Sequence, residues 1–428
     1  MNAERRWQIA FIATLIAPIG LLHVFPLTEV CIGVIDGLFL IDSAIRRNWS
    51  WARKPWFILA SVWWVWLVFA SLPFPQYGFG DDGMSGFIQS IVIVRLILFA
   101  MALQVWVFTT PKARRWGWLM LALSCLWIGL ECWQQYLTGH NIFGNPRWGD
   151  GSLTGPFWKP RSGPLYAHLL FIALLPPAMA LLARPSWLPR AAGILLTLLG
   201  MVTAVLIGQR MCVALAGMGL VIAAFYLPRL RLPLIVALAV SAVVLAATPY
   251  ISPPTHGKLV GETERNFHHF SQSPYGEIFT VATNMGTQSP WHGWGYRSYR
   301  VDCMKPKFNT GLPALGIPPT QQSLGACNLH PQNFYIQAFS DAGYPGLILF
   351  TAWMAYWTWL ALRGLWRNPD PLRVGLLIGI ATFTWPIAST DEFPTLYMLG
   401  WFFFFAGLAF ACADAAPKPP FAETENNA

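Results

Sequence analysis

Residues Leu232–Lys258 read LPLIVALAVSAVVLAATPYISPPTHGK. Through Ile251 the run carries no charged side chain, and it then turns abruptly to Ser, Pro, Thr, His, Gly and Lys. An apolar run of about 20 residues covers about 30 Å as a helix, the thickness of a bilayer core. Lipid offers no partner for a backbone amide, so such a run closes its own hydrogen bonds and folds as a helix. The turn at Ile251 opens a polar island, residues 251–332, that holds five of the eight histidines and two of the seven cysteines. Chemistry is expected in that island.

Apolar stretches of similar length recur on both sides of it. They centre on Ala17, Asp36, Trp64, Ile97, Trp127, Ile172, Leu199, Gly219 and Leu238 before the island, and on Phe350, Ile380 and Phe403 after it. Hydrophobic residues make up 55% of the chain and charged residues 11%, against about 25% charged in soluble domains. The expectation is an all-α polytopic membrane protein with about 12 transmembrane helices. Residues 1–250 carry the first nine, 251–332 form a large loop between the ninth and tenth, 333–413 carry the last three, and 414–428 form a disordered cytoplasmic tail. The first span follows Arg5 and Arg6 with no small-residue cleavage site, which reads as a retained helix.

Short loops rich in Lys and Arg face the cytoplasm. With the N-terminus inside, every even-numbered connection is basic: Arg46, Arg47, Arg53 and Lys54, then Lys112, Arg114 and Arg115, and so on to Arg363, Arg367 and Arg373. The expectation is cytoplasmic termini and an island on the opposite face, the periplasm of a bacterium. The net charge of +9 then reports topology and anionic membrane lipids; long basic-aromatic patches are lacking, so no nucleic-acid partner is expected. Positive charge on the outer face needs another explanation. It comprises Arg147, Lys159, Arg161, Arg210, Lys258, Arg265, Arg297, Arg300, Lys305 and Lys307.

Cys303 and Cys327 lie 24 residues apart in the outer loop, where disulfides persist. A bridge closing that loop is expected, with two free thiols the alternative. The other cysteines fall in apolar spans, where they read as small packing residues. Apolar residues at helical spacing from Phe267 through Phe270, Tyr275, Ile278, Ala282 and Met285 predict an amphipathic helix at the membrane surface.

Downstream, His330-Pro-Gln-Asn333-Phe-Tyr-Ile-Gln337 and Asp341-Ala-Gly343-Tyr-Pro-Gly346 open the next span. This pair of runs resembles the signature of the O-antigen ligase and O-antigen polymerase superfamily of membrane glycosyltransferases. Gly208-Gln-Arg210, Gly293-Trp-Gly295 and the segment from Arg147 to Tyr166 with Gly155, Phe157 and Gly163 are similar to its upstream features, in the same order. Many relatives carry a His directly before the Asn; here Gln332 stands there, and His330 is the imidazole at this boundary.

The resemblance implies a GT-C-like membrane enzyme that moves a glycan from undecaprenyl pyrophosphate to a hydroxyl of lipid A-core on the periplasmic face of the inner membrane. Displacing pyrophosphate builds negative charge on the leaving group, which preorganised cations stabilise. Arginine binds phosphate through a planar fork and stays charged. Arg210 and Arg300 are the expected catalytic cations, with Arg297, Arg265, Arg147, Lys159, Arg161 and Asn333 as substrate-binding candidates. His330 is expected to accept the acceptor's proton or to orient the hydroxyl. Inversion at the anomeric carbon calls for no metal and no cofactor.

Each of these residues has a structural alternative. Arg210 could anchor a helix end by reaching into headgroups, Arg300 could be a solvated loop charge, and His330 could cap the following helix. Arg95, amid Ile-Val-Ile-Val and Leu-Ile-Leu, costs at least about 2.5 kcal/mol unpaired in a membrane; Glu131 or Asp36 is its expected partner. The histidines lack zinc-site spacing, Asp391 and Glu392 read as solvated turn residues, and no Gly-Lys-Ser/Thr phosphate loop or internal repeat is found. Two other functions stay open: a polymerase of the same superfamily that joins lipid-linked repeat units, and a flippase or transporter of a lipid-linked glycan.

Overall fold

The computed structural model describes residues 1–319, 327, 330–387, 393 and 395–415. The Asp391–Glu392 pair and the tail from residue 416 lie outside the described residues. In chain order the helices are α1 (Ala3–His23), α2 (Phe25–Arg46), α3 (Pro55–Ala70), α4 (Gly83–Val92), α5 (Val94–Val105), α6 (Pro111–Thr138), α7 (Ser162–Leu182), α8 (Trp187–Leu206), α9 (Arg210–Tyr226) and α10 (Arg231–Ile251). The island supplies α11 (Pro253–His256), α12 (Glu262–His268), α13 (Pro274–Gln288) and α14 (Ser298–Asp302). The chain then runs through α15 (Phe334–Leu362), α16 (Pro371–Thr384) and α17 (Leu396–Asp414). The described residues form helices and loops, with no strand among them beyond isolated bridges.

Local chemistry sets the helix starts. Thr110 accepts from the Ala113 amide at 3.2 Å ahead of Pro111, Ser273 from the Gly276 amide at 3.1 Å ahead of Pro274, and Asp370 from the Arg373 amide at 2.9 Å ahead of Pro371. Each satisfies an amide that the first turn leaves open, and each proline sits where its missing N–H costs nothing.

All twelve expected span centres fall inside helices. Among the described residues, eight helices are long and apolar enough to cross a membrane. The other four are α3, α9 and α16, which are shorter, and α2, which carries Glu29, Asp36, Asp42 and Arg46. Length and composition therefore support crossing for eight of the helices, and α3, α9 and α16 are apolar but shorter.

The two ends of the bundle carry separate ion-pair sets. At one end Arg6 meets Asp42 at 2.6 Å, Lys54 meets Asp414 at 3.2 Å and Arg363 meets Asp414 at 3.7 Å. At the other, where α15 and α17 begin, the pairs tie the island to the rest of the chain: Arg210 to Glu262, Lys258 to Asp150, and Lys305 to Asp81.

Two local expectations are corrected. Arg95 lies within the Gly83–Thr109 span, just past Ile93, where α4 gives way to α5, but its partner differs from those expected. Its fork holds Glu29, Nε to Oε2 at 2.9 Å and Nη2 to Oε1 at 2.7 Å, whereas Glu131 accepts from the Ile142 amide and the buried Asp36 oxygens have no hydrogen-bond partner. The loop helix also starts later than its periodicity suggests, at Pro274 under the Ser273 cap. Its apolar stripe is covered by protein: Ile278, Val281, Ala282 and Met285 pack with Tyr299, Cys303 and Phe308 in a satellite core, and Gly286 lies against Phe339 of α15.

Candidate functional site

The site is built where α15 begins. Asn333 is its N-cap: Oδ1 accepts from the Tyr335 and Ile336 amides at 3.0 and 3.1 Å, and Nδ2 donates to the Pro386 carbonyl at 2.7 Å. One side chain thus starts the helix and ties it to the chain that leaves α16. Tyr335 adds a second tie, its hydroxyl donating to the Thr384 carbonyl at 2.6 Å.

His330 is half-buried just ahead of this cap, and its Nδ1 accepts from the Gln332 amide at 3.2 Å. A neutral ring that accepts at Nδ1 carries its proton on Nε2. Gln332, at the position where many relatives have His, adopts φ 55°, a left-handed conformation uncommon for residues other than Gly.

Nine residues into α15 the helix breaks. Gly343 has φ 66°, and the carbonyls freed there are taken by the Gly293-Trp-Gly295 loop. The Trp294 amide donates to Ser340 O at 3.0 Å, the Gly295 amide to Asp341 O at 2.9 Å, and the Tyr344 amide to Pro290 O at 2.7 Å. Trp66 of α3 donates to Ala342 O at 2.9 Å. A Cβ on Gly343 would lie 2.5 Å from Pro290 O, and one on Gly293 would lie 2.6 Å from Asp341 O. The two glycine motifs are therefore two halves of one interlock.

Asp341 is buried in this interlock. Gln337 donates to its Oδ2 at 3.2 Å and Ser298 to its Oδ1 at 3.5 Å. Gln337 also exchanges two 2.8 Å hydrogen bonds with the Phe393 backbone, so it links the carboxylate to the segment ahead of α17. The site residues named from sequence omit both Gln337 and Asp341. Their spacing of four, one helical turn, was the available signal.

Arg297 and Arg300 flank the start of α14. Arg297 has φ 67°, and its Nη1 lies 3.9 Å from Asp82 and 3.5 Å from the Ser85 hydroxyl; Arg300 is half-buried one turn on. Beside them Lys305 bridges Asp302 at 2.5 Å and Asp81 at 3.5 Å. Burial and the neighbouring Asp81 carboxylate push the Asp302 carboxyl up to about 6. Cys303 and Cys327 form a disulfide with Cα atoms 5.2 Å apart.

A second cluster surrounds Arg210, the first residue of α9. Its Nη2 lies 3.6 Å from Glu262, and its guanidinium is 5.9 Å from the Tyr275 ring of α13. Gly208 and Gln209 lead into it, Gly208 at φ 75° under Thr255 and Gln209 packed on Gly163 and donating to Pro160 O at 3.0 Å. The loop 139–161 is folded over the end of α6 by the buried Gln135, which donates to the Asn145 and Pro146 carbonyls and the Thr154 hydroxyl.

On that loop Arg147 donates to Tyr136 O at 2.9 Å and reaches Ser252. Asp150 accepts from Lys258; burial pushes the Asp150 carboxyl up, but the Lys258 and Ser152 hydrogen bonds outweigh it and hold it below the usual range. Arg161 lies 4.4 Å over Tyr397, whose hydroxyl donates back to Arg161 O at 2.9 Å.

These contacts connect Arg210 through Gln209 and Pro160 to Arg161 and the start of α17. The geometry thus gathers Arg210, Arg147 and Arg161 around one loop, and His330 and Asn333 with the buried Asp341 around the other. Arg265 is exposed on α12, and Lys159 lies over its neighbour Trp158 at 4.3 Å. Cations at the start of α9 and the capped, broken start of α15 thus form two clusters at the same end of the bundle.

Residues 192–351 match the family model described as O-antigen ligase. The likeness to the O-antigen ligase and polymerase superfamily extends from α8 through the interlock and takes in Arg210, Arg265, Arg297, Arg300, His330 and Asn333. Arg147, Lys159 and Arg161 lie ahead of the matched segment. No curated protein matches the chain.

Proposed function

We propose, from the premise of this O-antigen ligase segment, that the protein is a glycosyltransferase that carries a glycan from undecaprenyl pyrophosphate to a hydroxyl of lipid A-core. The reaction would take place at the periplasmic face of a bacterial inner membrane. The observation that carries this reading is that the matched segment opens one helix on Arg210 and caps another beside His330, at the same end of the bundle.

In this reading the acceptor oxygen attacks the anomeric carbon while the bond to the pyrophosphate oxygen breaks on the opposite side. The configuration inverts in one step. Arg210, with the open amides of the α9 first turn, meets the charge that grows on the departing phosphate, and Arg300 assists from α14. Arg147 and Arg161 hold the remaining phosphate oxygens and the sugar. The Arg210–Glu262 pair is long and half-exposed, so Glu262 gives way to the phosphate at little cost.

His330 orients in this scheme. With Nδ1 accepting from Gln332, its Nε2–H points a donor at the acceptor hydroxyl or the leaving oxygen. Taking the acceptor's proton would require that contact to open, so the proton passes to the departing pyrophosphate or to water. The residues account for the chemistry without a metal or cofactor.

The test is transfer by purified protein in detergent, with undecaprenyl-pyrophosphate-linked glycan and either lipid A-core or further donor as acceptor. Product on lipid A-core, lost in Arg210→Ala, is expected. Ladders from donor alone would replace the ligase by a polymerase, and an untouched donor with both acceptors would point to a carrier.

A further inference from the structure

A groove runs along the outside of α7 between α6 and α8. It follows α6 from Trp118 to Trp133, about 22 Å of helix, and has a volume of about 330 Å³. Its floor is Leu170, Ala173 and Leu174 of α7, and the flanking Leu123, Leu126 and Leu130 are half-exposed. Such a volume falls in the range of ligand pockets, and its lining offers dispersion contacts rather than hydrogen bonds.

The ends of the groove decide what fits it. Near the site, Trp133 donates to the Thr203 hydroxyl at 2.8 Å and Tyr166 to Gly200 O at 3.1 Å, which settles the polar atoms there within the protein. One turn on, the Trp133 and Tyr136 rings are 6.0 Å apart, and the Arg147 guanidinium lies 5.0 Å from the Tyr136 ring. Arg210 opens α9 shortly after α8 ends at Leu206. The apolar channel thus ends beside Arg147, and Arg210 lies seven residues along the chain from Thr203 of its lining. At the far end, Arg114 is committed to the Phe108 and Thr109 carbonyls.

A larger groove, about 630 Å³ along α3 and lined by Phe57, Val62, Val65, Trp66 and Leu349, has the opposite character. It ends at Phe69, whose ring packs on Phe79, and the connection there carries Asp81 and Asp82. At that mouth Asp81 and Asp82 hold Lys305 and Arg297, so the cations there are committed to carboxylates.

We infer that the α6–α8 groove holds the polyprenyl tail of the pyrophosphate-linked donor and delivers its head to Arg147 and Arg210. This rests on the transferase reading and adds to it a site for the lipid, outside most of the family-matched segment. Charge complementarity at the mouth selects an isoprenoid carrying a pyrophosphate over an uncharged lipid.

The test compares two donors bearing the same glycan pyrophosphate, one on undecaprenol and one on a ten-carbon isoprenol. Ala173→Phe and Gly129→Leu fill the groove from two helices, and a Cβ at Gly129 meets only ordinary contact with Tyr166. The expected result is a rise in KM of about tenfold for the long-chain donor and none for the short one. An equal rise for both donors, or no rise for the long one, overturns the inference.

A photoreactive polyprenyl pyrophosphate on the unmodified protein gives a second readout that does not depend on the folding of variants. Crosslinks on α6 and α8 peptides, removed by undecaprenyl pyrophosphate, support the groove; crosslinks on α3, or crosslinks that resist competition, overturn it. Unmodified protein that transfers from neither donor instead removes the transferase reading itself.

Discussion

The Gly295 amide donates to the Asp341 carbonyl at 2.9 Å, so a loop residue completes the hydrogen bonding of a helix 46 positions away in sequence. Broken helices need such external partners, because a carbonyl left open in an apolar setting costs several kcal/mol. The Gly-x-Gly run and the Asp-Ala-Gly-Tyr-Pro-Gly run are therefore one structural device, and the buried Asp341 sits at its centre.

That device predicts that Gly343→Ala destabilises the protein. A non-glycine residue at φ 66°, ψ -166° enters a region essentially reserved for glycine and costs about 1–3 kcal/mol, and the overlap with Pro290 O adds to it. Denaturation in detergent should show the loss, together with reduced transfer. A variant as stable as the unmodified protein would mean that the break does not need glycine.

Asn333 combines two roles that separate substitutions can divide. Asn333→Asp keeps the cap on Tyr335 and Ile336 but cannot donate to Pro386, whereas Asn333→Ala loses both. The alanine variant should lose about 1 kcal/mol for the cap alone and more for the lost tie, with the aspartate variant between it and the unmodified protein. Chemical denaturation ranks the three.

Arg210→Lys retains charge without the fork, so transfer should fall by about tenfold, against about a hundredfold or more for Arg210→Ala. Glu262→Gln removes the competing carboxylate and should lower the donor KM a few-fold, in keeping with a half-exposed pair. Steady-state kinetics with the lipid-linked donor measures both, and an unchanged KM in Glu262→Gln would sever Glu262 from the donor site.

His330→Gln should keep more activity than His330→Ala, because an amide can still present a donor where Nε2–H stood. A general base would lose both equally. Nitrogen NMR of the labelled histidine adds a direct check, with the proton expected on Nε2.

Asp302 makes stability depend on pH. Its folded pKa, about 6, lies above the ordinary 3.8, so the folded state holds a proton that the unfolded chain has released. Its contribution is most favourable below about 4, declines as pH rises from about 4 to 6, and is flat above. Asp302→Asn should abolish that decline and stabilise the protein at neutral pH relative to the aspartate. Melting curves between pH 4 and 7 decide it; a decline of the same size in the variant would assign it to another group.

Most of the fold was legible because membrane helices are written in composition. Each apolar stretch, from Ala17 to Phe403, marks a helix. The motif residues were legible too, since glycines and a His-x-x-Asn run at a helix start announce special backbone. The partner of Arg95 was not, because its pairing with Glu29 joins α5 to α2 across 66 positions of sequence.

The sequence by itself therefore determined that this chain is helical, membrane-suited and concentrated in polar chemistry between residues 251 and 332, because hydropathy and local spacing are properties of neighbouring residues. Only the tertiary structure decided that Arg95 pairs with Glu29, that α13 packs its apolar face on Tyr299, Cys303 and Phe308, and that Gln337 and Asp341 join by a hydrogen bond beside the interlock. These depend on which helix faces meet, and side chains far apart in sequence declare their partners only after the bundle has packed.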